Sequence, residues 1–317
     1  MFSKVLLATA LMASTVAAHT NFRGFLVGNQ AVPTSDWGYC VRPVGSNSPI
    51  QDYTSSQMIC NTVTGTAPGT CSAMPGDSVT MIWHEHSMTE TIAVSGKHYG
   101  PIQAYMARIP DATQSSVTGL KWFKVYSRGL IRGGMDPGGQ TTADADSTSG
   151  SGYAYWATQE ANTNKGLIKF NLPCDLAPGD YLLRSELIAL HAAGPGTNGA
   201  QVYTGCAQLR VGGSGTGNPS TVTDIKYSTS DPGIGINIHT TLNSYTPPGP
   251  AVYVPQTCSG GGGNTGGNPT TTTQRPVTTT TTTRQQQTTT TTTRAQTTTT
   301  QSSGQCAAKY AQCGGQG

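Results

Sequence analysis

Ala177-Pro178-Gly179-Asp180-Tyr181-Leu182-Leu183-Arg184 sets a Pro-Gly-Asp turn directly against a run that suits an extended chain. The same arrangement occurs where Pro75-Gly76-Asp77 precedes Ser78-Val79-Thr80-Met81-Ile82-Trp83. Outward from these two, Ile102-Gln103-Ala104-Tyr105-Met106, Trp122-Phe123-Lys124-Val125-Tyr126 and Ala207-Gln208-Leu209-Arg210-Val211 are further short runs of strand character. Gly, Pro, Ser and Asn punctuate the intervals, and hardly a segment from Asn21 to Cys258 sustains helical spacing. The expected fold is all-β, an immunoglobulin/fibronectin-like antiparallel β-sandwich with long loops.

The two ends of the chain differ in kind from this body. Met1 to Ala18 has the plan of a secretory signal peptide: Lys4, an apolar run from Val5 to Met12, then small residues at Val16-Ala17-Ala18. From Ser259 the chain turns Gly-rich and then Thr-rich, broken by Arg275, Arg284 and Arg294, a composition that cannot bury a core. The organisation expected is a signal peptide over 1–18, a folded domain over 19–258, a Gly/Thr-rich disordered linker over 259–304 and a short terminal piece over 305–317.

Charge and cysteine content narrow the function classes. Residues 19–258 carry 13 Lys+Arg against 15 Asp+Glu, a balance that points away from nucleic acid or an acidic membrane surface. No second apolar run approaches the roughly 18 to 20 residues of a membrane span. Of the 8 cysteines, Cys40, Cys60, Cys71, Cys174, Cys206 and Cys258 lie in the body, and behind a signal peptide they predict disulfides in a secreted protein.

Cleavage after Ala18 would make His19 the first residue, with three possible metal donors: the α-amine, Nδ1 and Nε2. His98, in Lys97-His98-Tyr99-Gly100-Pro101, stands at a loop-to-strand junction. Taken alone it reads first as an exposed loop histidine. In Ala200-Gln201-Val202-Tyr203-Thr204-Gly205-Cys206, Gln201 and Tyr203 share one face of a strand, as partners for a metal or oxygen ligand or as an ordinary core pair. His84-Glu85-His86 has i, i+2 spacing that a zinc site could use, without an evident third ligand. His239 is isolated and carries no assignment.

Taken in order, His19, His98-Tyr99-Gly100-Pro101, the stretch Ala177 to Arg184, Ala189-Leu190-His191, Gln201-Val202-Tyr203 with Cys206, Asp231-Pro232-Gly233-Ile234 and Tyr245-Thr246-Pro247-Pro248-Gly249-Pro250 resemble auxiliary activity family 9, the fungal lytic polysaccharide monooxygenases. The end of the chain, with Tyr310 and Gln312-Cys313-Gly314-Gly315, resembles the first third of a family 1 carbohydrate-binding module, too short to fold or bind alone.

The first resemblance implies one copper per catalytic domain, held by His19 (amine and Nδ1) and His98 (Nε2), with the Tyr203 hydroxyl near an axial position. It implies hydrogen bonding and proton delivery by His191 and Gln201. The activity implied is oxidative cleavage of β-1,4-glucan (cellulose) at C1 and/or C4, with O2 or H2O2 and an external electron donor. Tyr245 becomes a candidate for stacking on sugar rings, or else a buried sandwich-edge tyrosine; Tyr310 is its counterpart in the terminal piece. The family pattern further implies disulfides Cys60–Cys206 and Cys174–Cys258, which leaves Cys40 and Cys71 to each other. A secreted monomer is expected. Two departures from the commoner pattern stand out: Ser185 after Arg184, and Gly194-Pro195-Gly196 between His191 and Gln201.

Two other readings compete. A cellulose hydrolase needs two carboxylates about 5 to 9.5 Å apart, and no Asp/Glu pair here sits in a motif resembling one. A non-catalytic copper- or glucan-binding protein could share the scaffold, but simple metal storage has no use for Gln201 and His191 beside the metal.

Overall fold

The computed structural model describes residues 19–136, 152–256 and 258. The expected signal peptide, linker and terminal piece with Tyr310 lie outside the described residues. Among those described, no helix is long and apolar enough to cross a membrane.

Two sheets face each other. One has three strands, β1 (Asn21–Val27), β3 (Ser78–His84) and β8 (Leu167–Asn171), in the order β1-β3-β8. The other has five: β2 (Cys71–Ala73), β4 (Ile102–Ile109), β5 (Trp122–Arg128), β9 (Gly179–Ala189) and β10 (Gln201–Val211), in the order β2-β10-β9-β4-β5. Short pieces complete the described chain: α1 (Gln57–Cys60), β6 (Leu130–Arg132), β7 (Tyr155–Trp156) and α2 (Ala157–Thr163). The all-β expectation holds, and each of the five anticipated runs lies within a strand. The sheets are not purely antiparallel, since β2 runs parallel to β10, with Cys71 opposite Leu209. The Cys60–Cys206 disulfide shows why: between Cys60 and Cys71 the chain advances alongside β10 in the direction of β10 itself.

β9 and β10 are buried along nearly their whole length because both faces of their sheet are covered. Leu183, Leu187, Tyr203 and Leu209 point between the sheets onto Phe22, Val79, Met81 and Trp83. Leu182, Ile188 and Val202 point the other way, onto a second core with Tyr105, Trp122, Tyr227, Ile234 and Ile238. The period-2 alternation of a strand thus feeds two cores from one sequence. The unexpected Ser185 falls on the inter-sheet face, where its Oγ accepts the Trp83 indole N–H at 2.8 Å and satisfies a buried donor.

The second core also holds a buried ion pair, Arg184 to Glu186 at 2.7 Å. Glu186 Oε1 accepts from Gln103 Nε2 at 2.7 Å and from the Tyr227 hydroxyl, and the Tyr227 and Tyr105 hydroxyls meet at 3.1 Å. Lys124 Nζ donates to the Pro248 carbonyl at 2.7 Å. Through these bonds the long stretch after β10 is tied down on the sheet. Three disulfides close the domain: Cys40–Cys71, Cys60–Cys206 and Cys174–Cys258.

Candidate metal centre

Strand order brings three distant segments to one end of the sandwich. His19 lies two residues before β1, His98 lies four residues before β4, His191 lies two residues after β9, and Gln201 opens β10. Pairing of Gln201 with Ala189 and of Ile102 with Leu187 sets these strand ends level. Gly205 lets β1 approach from the opposing sheet, since a Cβ there would lie 2.9 Å from the Phe22 Cβ.

The loop carrying His98 is locked to β9. Leu190 N–H donates to the Tyr99 carbonyl at 2.8 Å, and Ile188 N–H to the Pro101 carbonyl at 3.0 Å. Gly100 sits between these bonds, where an added Cβ would fall 1.9 Å from the Ile188 carbonyl oxygen. Only glycine permits that approach.

The side chains converge accordingly. The rings of His98 and His191 are 4.5 Å apart between centroids, and those of His98 and Tyr203 6.3 Å. The Tyr203 hydroxyl donates to Gln201 Oε1 at 2.9 Å, as residues on one strand face should. His98 and Tyr203 are buried, while His19, His191 and Gln201 are half-buried, so the cluster sits at a partly open surface. Gly194-Pro195-Gly196 forms a compact turn held by Thr197 N–H on the Gly194 carbonyl at 3.1 Å. Gly199, whose Cβ would meet the Ala192 carbonyl at 1.7 Å, lets that loop close tightly.

Electrostatics favour the neutral form of His98 and of His191. Burial lowers the pKa of His98, as does the nearness of His19; the Ser95 carbonyl and Gln201 side chain oppose this without a normal hydrogen bond to Nδ1. His191 is pushed down to about 4 by burial first, then by His98 and His239. Burial, followed by the Glu85 charge, raises the Tyr203 phenol. Neutral imidazoles beside a phenol are a donor set suited to a transition metal of copper type. No group of three or more His, Cys, Asp or Glu able to hold a metal occurs among the described residues.

His84-Glu85-His86 does not act as a unit. β3 ends at His84, which is buried with Nε2 3.0 Å from the Lys165 carbonyl, whereas the exposed His86 pairs with Glu90 at 3.1 Å. Glu85 is the residue of that triplet that serves the site: its Oε1 accepts the Ser95 N–H at 2.5 Å, three residues before His98. Local sequence carried no signal for this, because the contact depends on how the loop after β3 folds back. Tyr245 is half-buried: its ring packs edge-on against Trp156 at 5.0 Å, and its hydroxyl donates to the Gly233 carbonyl at 2.8 Å.

Comparison with known proteins agrees with this architecture. Residues 19–246 match the profile of Auxiliary Activity family 9 (formerly GH61). The chain is 40% identical over 257 residues to the AA9 family lytic polysaccharide monooxygenase AA9-X282 of Trametes coccinea, covering 80% of this chain and 85% of that protein. It is 38% identical over 258 residues to AA9 family lytic polysaccharide monooxygenase B of Thermothelomyces thermophilus, covering 80% and 74%. Among solved structures, it superposes on the extended catalytic domain of H. jecorina LPMO9A with a TM-score of 0.56 at 32% identity, covering 71% and 82% of the two chains. It matches HiLPMO9B with a TM-score of 0.57 at 30% identity, covering 74% and 99%. A matched segment that starts at His19 and spans every strand end of the histidine cluster leaves one assignment: the chain belongs to Auxiliary Activity family 9, and is a lytic polysaccharide monooxygenase that cleaves polysaccharide oxidatively.

Proposed function

We propose that the secreted, processed protein begins at His19 and holds one copper ion through the residue-19 amine and imidazole and the His98 imidazole, with the Tyr203 phenol beside it. The substrate is a β-1,4-glucan such as cellulose. Copper, when bound, supplies redox chemistry driven by an external electron donor and O2 or H2O2. The observation that carries this reading is the meeting of His98, His191 and the Gln201–Tyr203 pair at the sandwich end where β1 begins.

The chain's own groups divide the work. His98 is presented as a neutral donor by its buried setting. Gln201 accepts from the Tyr203 hydroxyl through Oε1, which fixes the amide's direction and leaves its N–H2 as a donor for a polar group on the open side. His191, beside His98, can donate to or accept from a reacting oxygen and pass a proton. The test is mass spectrometry of products from cellulose, using copper-loaded protein whose first residue is confirmed as His19, with and without ascorbate. Oxidised oligosaccharides that require the reductant and vanish with EDTA are expected. Reductant-independent release that survives EDTA would refute the reading in favour of hydrolysis.

A further inference from the structure

His239 has no part in the site as described, yet it lies at its border. Nε2 is 2.8 Å from the His191 carbonyl oxygen and Nδ1 is 3.1 Å from Asp136 Oδ2. Its own backbone is fixed, since its N–H donates to Asn237 Oδ1 at 2.9 Å and the neighbouring Ile238 is buried in the second core. Asp136 comes from the other side, two residues beyond Gly134, which pairs with Leu242. One imidazole therefore bridges two segments that the fold brings to the foot of His191.

The chemistry of the bridge depends on the proton. A carbonyl and a carboxylate only accept, and a neutral imidazole has one N–H. Both bonds therefore form only on the imidazolium. Among the groups facing His239, the His191 carbonyl is the strongest influence raising its pKa, with Asp136 next; partial burial and the Lys97 ammonium oppose them, and the net direction is upward. Such a group contributes stability that is present in acid and lost as the pH rises through its folded pKa.

We propose that His239, held by Asp136, is a positioning residue for His191: a bridge that fixes the backbone beneath the imidazole facing His98, and that opens when His239 loses its proton. The inference rests on the reading of His191 as a proton-handling group for the oxidative reaction. Its consequence is that the loop from His191 to Ala200 is firmer at mildly acidic pH than at alkaline pH.

The experiment uses the processed protein in two states. In the metal-free state, hydrogen exchange at the Ala193 and Thr197 amides, bonded to the Leu190 and Gly194 carbonyls, is measured from pH 5 to 8 and corrected for intrinsic base catalysis. Wild type should lose about threefold to tenfold protection across that range, the effect of one charge-assisted bond partly shared with water. His239→Gln should show the low protection throughout, and Asp136→Asn should move the transition to lower pH. In the copper-loaded state, His239→Gln should lower kcat on cellulose several-fold with KM unchanged. Identical, pH-independent protection in wild type and His239→Gln overturns the bridge. A normal exchange transition with kcat unaffected by the variant overturns the positioning role. Failure of wild type to release oxidised products would instead strike the copper reading, while the exchange data still stand on their own.

Discussion

Gly100→Ala tests the packing that delivers His98. The new methyl would sit 1.9 Å from the Ile188 carbonyl oxygen and 3.1 Å from its carbon. Carbon–oxygen contacts close at about 3.3 Å, so the segment must withdraw from β9 by roughly 1.4 Å. The bonds flanking this point, Leu190 N to Tyr99 O at 2.8 Å and Ile188 N to Pro101 O at 3.0 Å, cannot survive that movement. Two buried pairs left unsatisfied at about 1–3 kcal/mol each imply a loss of about 2–6 kcal/mol. His98 moves with its loop, so copper affinity should fall by about tenfold or more. Urea unfolding of the metal-free protein and calorimetric copper titration measure the two effects. Gly65→Ala is the control, because nothing lies within 4 Å of its added Cβ; it should be neutral or gain a few tenths of a kcal/mol, to about 1 kcal/mol at most. A Gly100→Ala protein matching Gly65→Ala in both measurements would refute the reasoning.

Burial lowers the Lys124 ammonium to about 8, while an unfolded lysine titrates near about 10.4. Between those values the unfolded chain binds more protons, so stability should rise with pH, by up to about 1.4 kcal/mol per unit from this group. Lys124→Met should flatten that slope between pH 8 and 10 in denaturant titrations; equal slopes in both proteins would contradict the account. Cys60–Cys206 spans 146 residues and Cys40–Cys71 spans 31. Chain entropy therefore assigns the first about 5 kcal/mol and the second about 4 kcal/mol, and paired Cys→Ser variants compared by unfolding midpoint should keep that order.

Turn chemistry and alternation made the strands legible. Pro-Gly-Asp pins a reversal and period-2 residues after it select a pleated surface, both of which are local effects. The shared face of Gln201 and Tyr203 was legible for the same reason, since strand geometry alone puts i and i+2 side by side. β1 was not, because Arg23 and Gly24 break its alternation. In the fold, the Arg23 side chain is absorbed by the His84 and Glu85 carbonyls and by Asp36, and Gly24 makes room for Ile82 and Met88.

The sequence by itself determined the strand class, the cysteine complement of the disulfides, and the histidine, glutamine and tyrosine types that metal and proton chemistry call for. Tertiary structure alone decided which strand ends share an edge, that β2 runs parallel, that the Tyr245 ring packs edge-on against Trp156, and that Glu85 and His239 hydrogen-bond to the segments of His98 and His191. The division has a physical cause. Backbone dihedrals and side-chain period are set within a few residues, whereas a hydrogen bond between Glu85 and Ser95, or between His239 and His191, exists only once the packing of two cores has fixed where separate loops meet.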